Sequence, residues 1–252
     1  MSASVECALV RWVDEMAKAQ ELPWSKGVRL AACDSFGLVA VDKPVGVLSH
    51  PNRRGEKGKA LLRLDYDAEL QAYVGEGLDP VFLLNRLDSA TSGLLLLTAR
   101  PWVRDPVLEA FERKQVTKRY AALVFGFVRK GSPIWKDRLS VDRKGGGLRA
   151  ATGGGLSAET RLLGAKAIPG LPAMSMLELQ PITGRTHQLR IQCAKRGLPI
   201  VGDRTYGDFR KNKAIASAKG IKRLCLHCVG TELVYSIDGK RSRFKAQSPH
   251  PF

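Results

Sequence analysis

Apolar residues at Val5, Ala8, Leu9, Trp12 and Met16 follow the i, i+3, i+4 spacing of one helix face and predict an amphipathic helix over residues 4 to 19. The period then changes. "GVRLAACDSFGLVAVDKPVGVLSHP" predicts a strand, a turn at Asp34 to Gly37, a second strand from Leu38 to Val41, and a Pro/Gly-broken loop ending at His50 and Pro51. Val81 to Leu84 and Leu94 to Leu97 are unbroken apolar runs of the kind that form buried strands. Asp105 before Pro106 predicts an N-cap and first helical position, opening a helix through "VLEAFERK". "TKRYAALVFGFV" predicts a strand from Lys118 to Val128, and the glycine-rich span 144 to 156 a mobile surface loop. Beyond it come a strand ending near Leu179 and a helix over His187 to Arg196, stopped by Gly197, with Lys195 and Arg196 suiting its last-turn dipole. "FRKNKAIASAKGIKR" reads as a basic loop leading into a strand over 223 to 235, and Asp238 and Gly239 as the turn of a closing hairpin. This order predicts an α+β fold, with a mixed, largely antiparallel central sheet and flanking helices. Residues 1 to 27 form a helical extension packed on a main domain of residues 28 to 252.

Charge narrows the partners. Lys plus Arg is 41 against 24 Asp plus Glu, a net +17 over 252 residues, which points to a polyanion or an anionic membrane surface. No apolar run approaches the eighteen or so residues of a membrane span. The N-terminus carries Glu6, Asp14 and Glu15 and lacks a secretory apolar core, so a cytoplasmic protein that binds nucleic acid rather than membrane is expected. Five cysteines without framework spacing fit a reducing compartment. "CLHC" at 225 to 228 invites a zinc reading, but it lies in a strand pattern, where positions three apart face opposite ways, and no second CxxC completes a site. Core packing is the expected role.

The chemistry concentrates in two stretches. In "VFLLNRLDSATSGLLLLTA", Arg86 and Asp88 stand two apart between the buried runs, so in extended chain they share a face. Taken alone they are an ion pair beside turn formers or a reactive pair. In "GRTHQLR", Arg185, His187 and Arg190 surround a helix N-terminus, where orphan amides favour anions, although a histidine there also serves as a cap or in the core.

Together these stretches resemble the RNA pseudouridine synthases of the RluA type. "NRLDSATSG" is similar to that family's HRLDxxTSG motif, which implies Asp88 as the catalytic aspartate and Arg86 and Thr91 as substrate contacts. "KRYAALVFG" resembles its K-x-Y-x-A-L-V strand and implies Tyr120 as the active-site tyrosine, the alternative being a core aromatic. "GRTHQLRIQCAKRGLPIVGDRTYG" resembles its third block, implying Arg185 as the basic partner of the aspartate, Leu189 as an apolar pocket wall, and His187 and Arg190 as substrate contacts. "VDKPVGVLSHP" and "RLCLHC" resemble the opening and closing strands, so the likeness runs from about residue 30 to 235. Asn85 stands where the family usually has histidine, from which altered loop support is expected. Many relatives carry an N-terminal S4 domain; too few residues precede the first family strand here, which leaves RNA binding to the catalytic domain.

The implied activity is isomerisation of uridine to pseudouridine, with no external reactant. No nucleotide fingerprint or metal-ligand cluster appears, so neither cofactor nor metal is expected. An ionised carboxylate attacks or stabilises the sugar, a nearby cation holds it charged, and the target base leaves its stack. Arg86 is the candidate wedge or phosphate clamp. Three basic clusters supply backbone contacts: Arg53, Arg54, Lys57 and Lys59; Arg210, Lys211, Lys213, Lys219, Lys222 and Arg223; and Lys240, Arg241, Arg243 and Lys245. The expected partner is a ribosomal or transfer RNA stem-loop, bound by a monomer. A non-catalytic RNA-binding module on the same scaffold is the competing reading. A two-carboxylate hydrolase fits less well, because the motif blocks offer one acid with basic neighbours and no evident second carboxylate: Asp203, which could be offered as one, lies in a turn pattern.

Overall fold

The computed structural model describes residues 15–53, 55–128, 132–142, 149–170 and 172–252, with side chains described outside 140–142 and 149–154. The fold is α+β, and the chain divides into two compact units, Met1–Thr117 with Cys228–Pro249, and Lys118–His227 with His250–Phe252.

In the first unit, helix α1 covers 15–21 and is followed by strands β1 (Arg29–Cys33), β2 (Leu38–Lys43), β3 (Asp65–Asp67), β4 (Ala72–Gly75), β5 (Leu78–Leu83) and β6 (Ser92–Thr98). Strand β6 pairs antiparallel with β2 from Leu38 opposite Thr98 to Lys43 opposite Gly93, and with β5 at Phe82 and Leu83. Strand β1 extends β2, and β4 and β3 extend β5, all antiparallel. Leu94 to Leu97 are at most 1% exposed, which explains the unbroken apolar run: β6 is covered on both faces. Leu95 and Leu97, on one face, join Val41, Leu61, Leu62, Tyr73 and Leu83 in one core cluster, each fully buried Leu or Val contributing roughly 1.5–3 kcal/mol by burial. The described part of the N-terminal helix packs on this core through Ala19, whose carbonyl accepts from Trp24 Nε1, while Glu15 pairs with Arg100 at 2.5 Å. The rest of the helix expected over 4–19 lies outside the described residues.

Helix α2 (Pro101–Glu112) begins four residues before the N-cap expected at Asp105. Arg100 is the cap and Pro101 the first helical residue, so Pro106 lies inside the helix, where it removes one ladder bond. The buried stripe of Val103, Val107 and Ala110 holds the helix across that gap. The unit closes with β11 (Leu226–Ile237, from Cys228 on) and β12 (Lys240–Gln247), an antiparallel hairpin whose turn residues Asp238 and Gly239 have φ of 48° and 74°, the left-handed pair a two-residue hairpin favours.

The second unit carries β7 (Val116–Phe125, from Lys118 on), β8 (Ile134–Asp142), β9 (Arg149–Ile168) and β10 (Met174–Pro181), in the antiparallel order β7-β10-β9-β8, with helices α3 (Gln188–Lys195) and α4 (Phe209–Lys219). Two expectations are corrected here. Residues 149–156 of the expected glycine-rich loop belong to β9; the pairing jumps from Leu139–Leu156 to Ser140–Ala151, so the run 152–155 forms an irregularity within a strand. The expected basic loop is α4, capped by Asp208 accepting from Lys211 N and ended by Gly220 at φ 69°. Its lone buried side chain, Ile215, leaves almost no apolar period for a sequence reading to detect, though its Lys and Ala are strong helix formers. Strands β3, β4 and β8 also went unread, because their segments are polar and short or lack alternation. Lys195 and Arg196 meet a partner more specific than a dipole: both pair with Asp137 at 2.9 Å.

Candidate active site

Arg86, Asp88 and Thr91 lie in the first unit, on the extended segment that leaves β5 and enters β6. The segment is tied at nearly every residue. Asn85 Oδ1 accepts from Leu96 N at 2.9 Å. Ser49 Oγ donates to Leu87 O at 2.7 Å and accepts from Leu87 N at 3.0 Å. Ser89 O accepts from Gly46 N at 2.7 Å and from Lys43 Nζ at 3.3 Å. The chain then turns, Thr91 N donating to Asp88 O at 3.0 Å. Backbone on both sides of Asp88 is thus bonded to the loop that follows β2.

Lys43, the last residue of β2, organises that loop. Its side chain is fully buried, and Nζ also donates to the carbonyls of Val47 at 2.7 Å and Pro44 at 3.1 Å, so carbonyl dipoles replace the water an ammonium requires. Tyr73, buried in the core, donates its hydroxyl to Ser49 O at 2.6 Å and anchors the loop from beneath. Thr91 is 3% exposed and belongs to the packing of this turn. Arg86 is exposed, its Nη1 3.3 Å from His50 Nε2. Asn85, at the family's histidine position, keeps one buried amide hydrogen-bonding group, Nδ2, without a partner. Gly93 has φ 112°, and a Cβ there would come within 2.4 Å of the Cys228 backbone, so glycine is required for β6 to approach β11.

Tyr120, Arg185, His187, Leu189 and Arg190 lie in the second unit. Tyr120 is 8% exposed on β7, opposite Leu179 of β10. Arg185 is exposed, its Nε donating to Ser157 O at 3.2 Å. His187 caps α3 in the left-handed conformation, φ 54°, and its Nδ1 lies 3.0 Å from Tyr206 Oη. Leu189 is 6% exposed. Arg190 is engaged inside the fold: Nε and Nη2 each reach Asp203 at 2.8 Å, and the guanidinium lies over the Tyr206 ring. Burial raises the Asp203 carboxyl, but the bond and charge of Arg190 and the amides of Tyr206 and Thr205 outweigh it and hold the group below the usual aspartate range. Asp203 is therefore structural, as its turn pattern suggested, and Arg190 is the buried partner that holds it.

Sequence reasoning passed over the supports. Gln188 Oε1 accepts from Thr183 Oγ1 at 2.7 Å and Arg185 N at 3.1 Å, while Nε2 donates to Glu159 O and Thr160 Oγ1, both at 2.9 Å. One helical turn on, Gln192 accepts from Thr160 Oγ1 at 2.6 Å and donates to Asp137 Oδ2 at 2.8 Å. Two amides four apart, sharing one helix face with Lys195, were the available signal. Of the CxxC, Cys228 is buried beside Thr231, and burial pushes the Cys225 thiol up to about 11. Both pack as core thiols. No helix among the described residues is long and apolar enough to cross a membrane.

The comparisons converge on one family. The family model described as RNA pseudouridylate synthase matches residues 37–195. The tRNA pseudouridine synthase C of Pasteurella multocida (strain Pm70) is 31% identical over 200 residues, 75% of this chain and 79% of that one. The ribosomal large subunit pseudouridine synthase D of Xanthomonas campestris pv. campestris is 29% identical over 226 residues, 84% of this chain and 63% of that one. Among solved structures, human RNA pseudouridylate synthase domain containing 1 superposes with a TM-score of 0.60 at 21% identity, covering 90% of this chain and 85% of that one; domain containing 4 gives 0.59 at 20%, covering 96% of this chain and 93% of that one. Those structures establish the fold, and the family-model match over more than half the chain carries the chemistry: this protein belongs to the RNA pseudouridine synthases, isomerases that convert uridine in RNA to pseudouridine.

Proposed function

We propose that Asp88 is the carboxylate that attacks or stabilises the sugar of the target uridine, with Arg185 as its cationic partner and Tyr120 stacking on the uracil and handling the final proton transfer. The observation that carries this reading is the double anchoring of the backbone at Leu87 and Ser89, which holds the residue between them in one place before substrate arrives. Leu189 walls the pocket, Arg86 fills or clamps the space left by the extruded base, His187 contacts the RNA, and Thr91 and Arg190 support the turns beneath those contacts. Residues 28–252, both units included, act as one catalytic domain, with the preceding helix packed against it.

The substrate is a stem-loop of transfer or ribosomal RNA, in keeping with the names of the relatives. The enzyme works as a cytoplasmic monomer without a cofactor, its backbone contacts coming from the three basic clusters. Pseudouridine mapping of RNA from cells with the gene intact, deleted, and restored as wild type or Asp88→Ala tests this. A site lost on deletion and restored by wild type alone is the expected result. Restoration by Asp88→Ala would remove the aspartate from the mechanism, and survival of every site would favour the non-catalytic RNA-binding module.

A further inference from the structure

His50 ends the loop that clamps the Asp88 segment, and both of its ring nitrogens are engaged. Nδ1 lies 3.0 Å from the carbonyl oxygen of Pro51 and Nε2 lies 3.3 Å from Nη1 of Arg86. A carbonyl only accepts and a guanidinium only donates. Both contacts are satisfied by one form of the ring, the neutral imidazole with its proton on Nδ1 and its lone pair on Nε2. The ring plane is fixed independently. His50 stacks on Tyr66 of β3, with centroids 4.7 Å apart and planes 13° from parallel, and Tyr66 meets the buried Tyr73 edge-on at 5.2 Å. Burial raises the Tyr66 hydroxyl while the charge of Arg86 lowers it, so the guanidinium is electrostatically close to this ladder.

The flanks of Arg86 are equally fixed. Asn85 is bonded to Leu96 N and Leu87 to Ser49, while Arg86 itself is exposed. A long, exposed side chain on a rigid backbone keeps its own rotamer freedom unless something holds the tip, and a freely rotating guanidinium loses more entropy when RNA orders it.

We infer that His50 is a positioning residue for Arg86: as the neutral, Nδ1-protonated imidazole seated on Tyr66, it accepts from the guanidinium and presents it to RNA already oriented. The inference rests on the synthase reading in taking Arg86 to meet RNA beside the target uridine. Asp67, next to Tyr66, is the other charged group acting on this ladder, and its carboxylate raises the Tyr66 hydroxyl where Arg86 lowers it.

Two measurements on the full chain decide it. Long-range proton–nitrogen correlation on histidine-labelled protein at neutral pH, assigned by the signal lost in His50→Phe, is expected to show the Nδ1-protonated tautomer; an Nε2-protonated ring or an imidazolium overturns the inference. The second is a double-mutant cycle read as the initial rate of pseudouridine formation on total RNA from gene-deleted cells. His50→Phe keeps a ring for Tyr66 but removes the acceptor, and should slow the reaction about 10-fold in the wild-type background and less than about 2-fold in Arg86→Ala. His50→Gln, whose amide oxygen reaches the Nε2 position, should recover most of the loss; if the phenylalanine variant melts early, His50→Leu, which likewise lacks an acceptor, takes its place in the cycle. Equal losses in both backgrounds, or none in either, overturn the inference. If wild-type protein forms no pseudouridine, the synthase reading fails instead, and the tautomer and the same cycle read as affinity for that RNA still decide the role of His50.

Discussion

Ser49 Oγ both donates to the carbonyl oxygen of Leu87, at 2.7 Å, and accepts from its amide, at 3.0 Å. One hydroxyl therefore stands in for a strand partner at the residue before Asp88. Ser49→Ala leaves the amide and carbonyl of half-buried Leu87 unmatched, a cost of about 1 kcal/mol or more. Urea unfolding should register that loss. Turnover should fall further than RNA affinity, because the segment that carries Asp88 loosens.

Gly93 and the Cys228 backbone meet so closely that a Cβ would sit 2.4 Å from main-chain atoms, at a φ of 112°. Gly93→Ala should therefore separate β6 from β11 and lower stability by about 3 kcal/mol or more. A melting temperature within a degree of wild type would contradict the close approach.

Asp203 and Asp137 make the second unit sensitive to acid. In both, burial raises the carboxyl, but Arg190 at one site and Lys195, Gln192 and Arg196 at the other prevail and lower it. A folded-state value below the unfolded one contributes stability that is complete above the ordinary aspartate range and disappears as pH falls through the folded value. Stability should accordingly hold from neutral pH down to that range and then decline. Asp203→Asn should flatten part of the decline while costing roughly 3–5 kcal/mol at neutral pH, because buried Arg190 loses its counter-charge. Denaturant titrations across an acid series measure both effects.

RNA affinity should fall steeply with salt, by about 10-fold or more between 50 and 200 mM, as expected for several phosphate contacts. Arg241→Ala, on the outward face of β12, should reduce the slope of log affinity against log salt by roughly one. Filter binding at four salt concentrations suffices, and a flat response would remove the basic clusters from RNA binding.

Much of this architecture is local in origin and was legible in residue order. The buried runs at 81–84 and 94–97, the hairpin turn at Asp238 and Gly239, and the stop of α3 at Gly197 each follow from apolar period or from a glycine's tolerance of positive φ. The motif around Asp88 and the basic surface likewise lie open in the sequence, because they depend on which residues are present. Helix α4 escaped notice, since its propensity and caps are local but its apolar face is nearly empty. The start of α2 was misplaced because two prolines competed for the first turn, and packing of Val103, Val107 and Ala110 chose the earlier one. What only tertiary structure decided is pairing between distant residues: Lys43 with Ser89, Ser49 with Leu87, His50 with Arg86, Arg190 with Asp203. Each satisfies a buried or constrained polar group with one partner among many of the same type, and sequence spacing carries no information about which partner the fold brings within 3.3 Å.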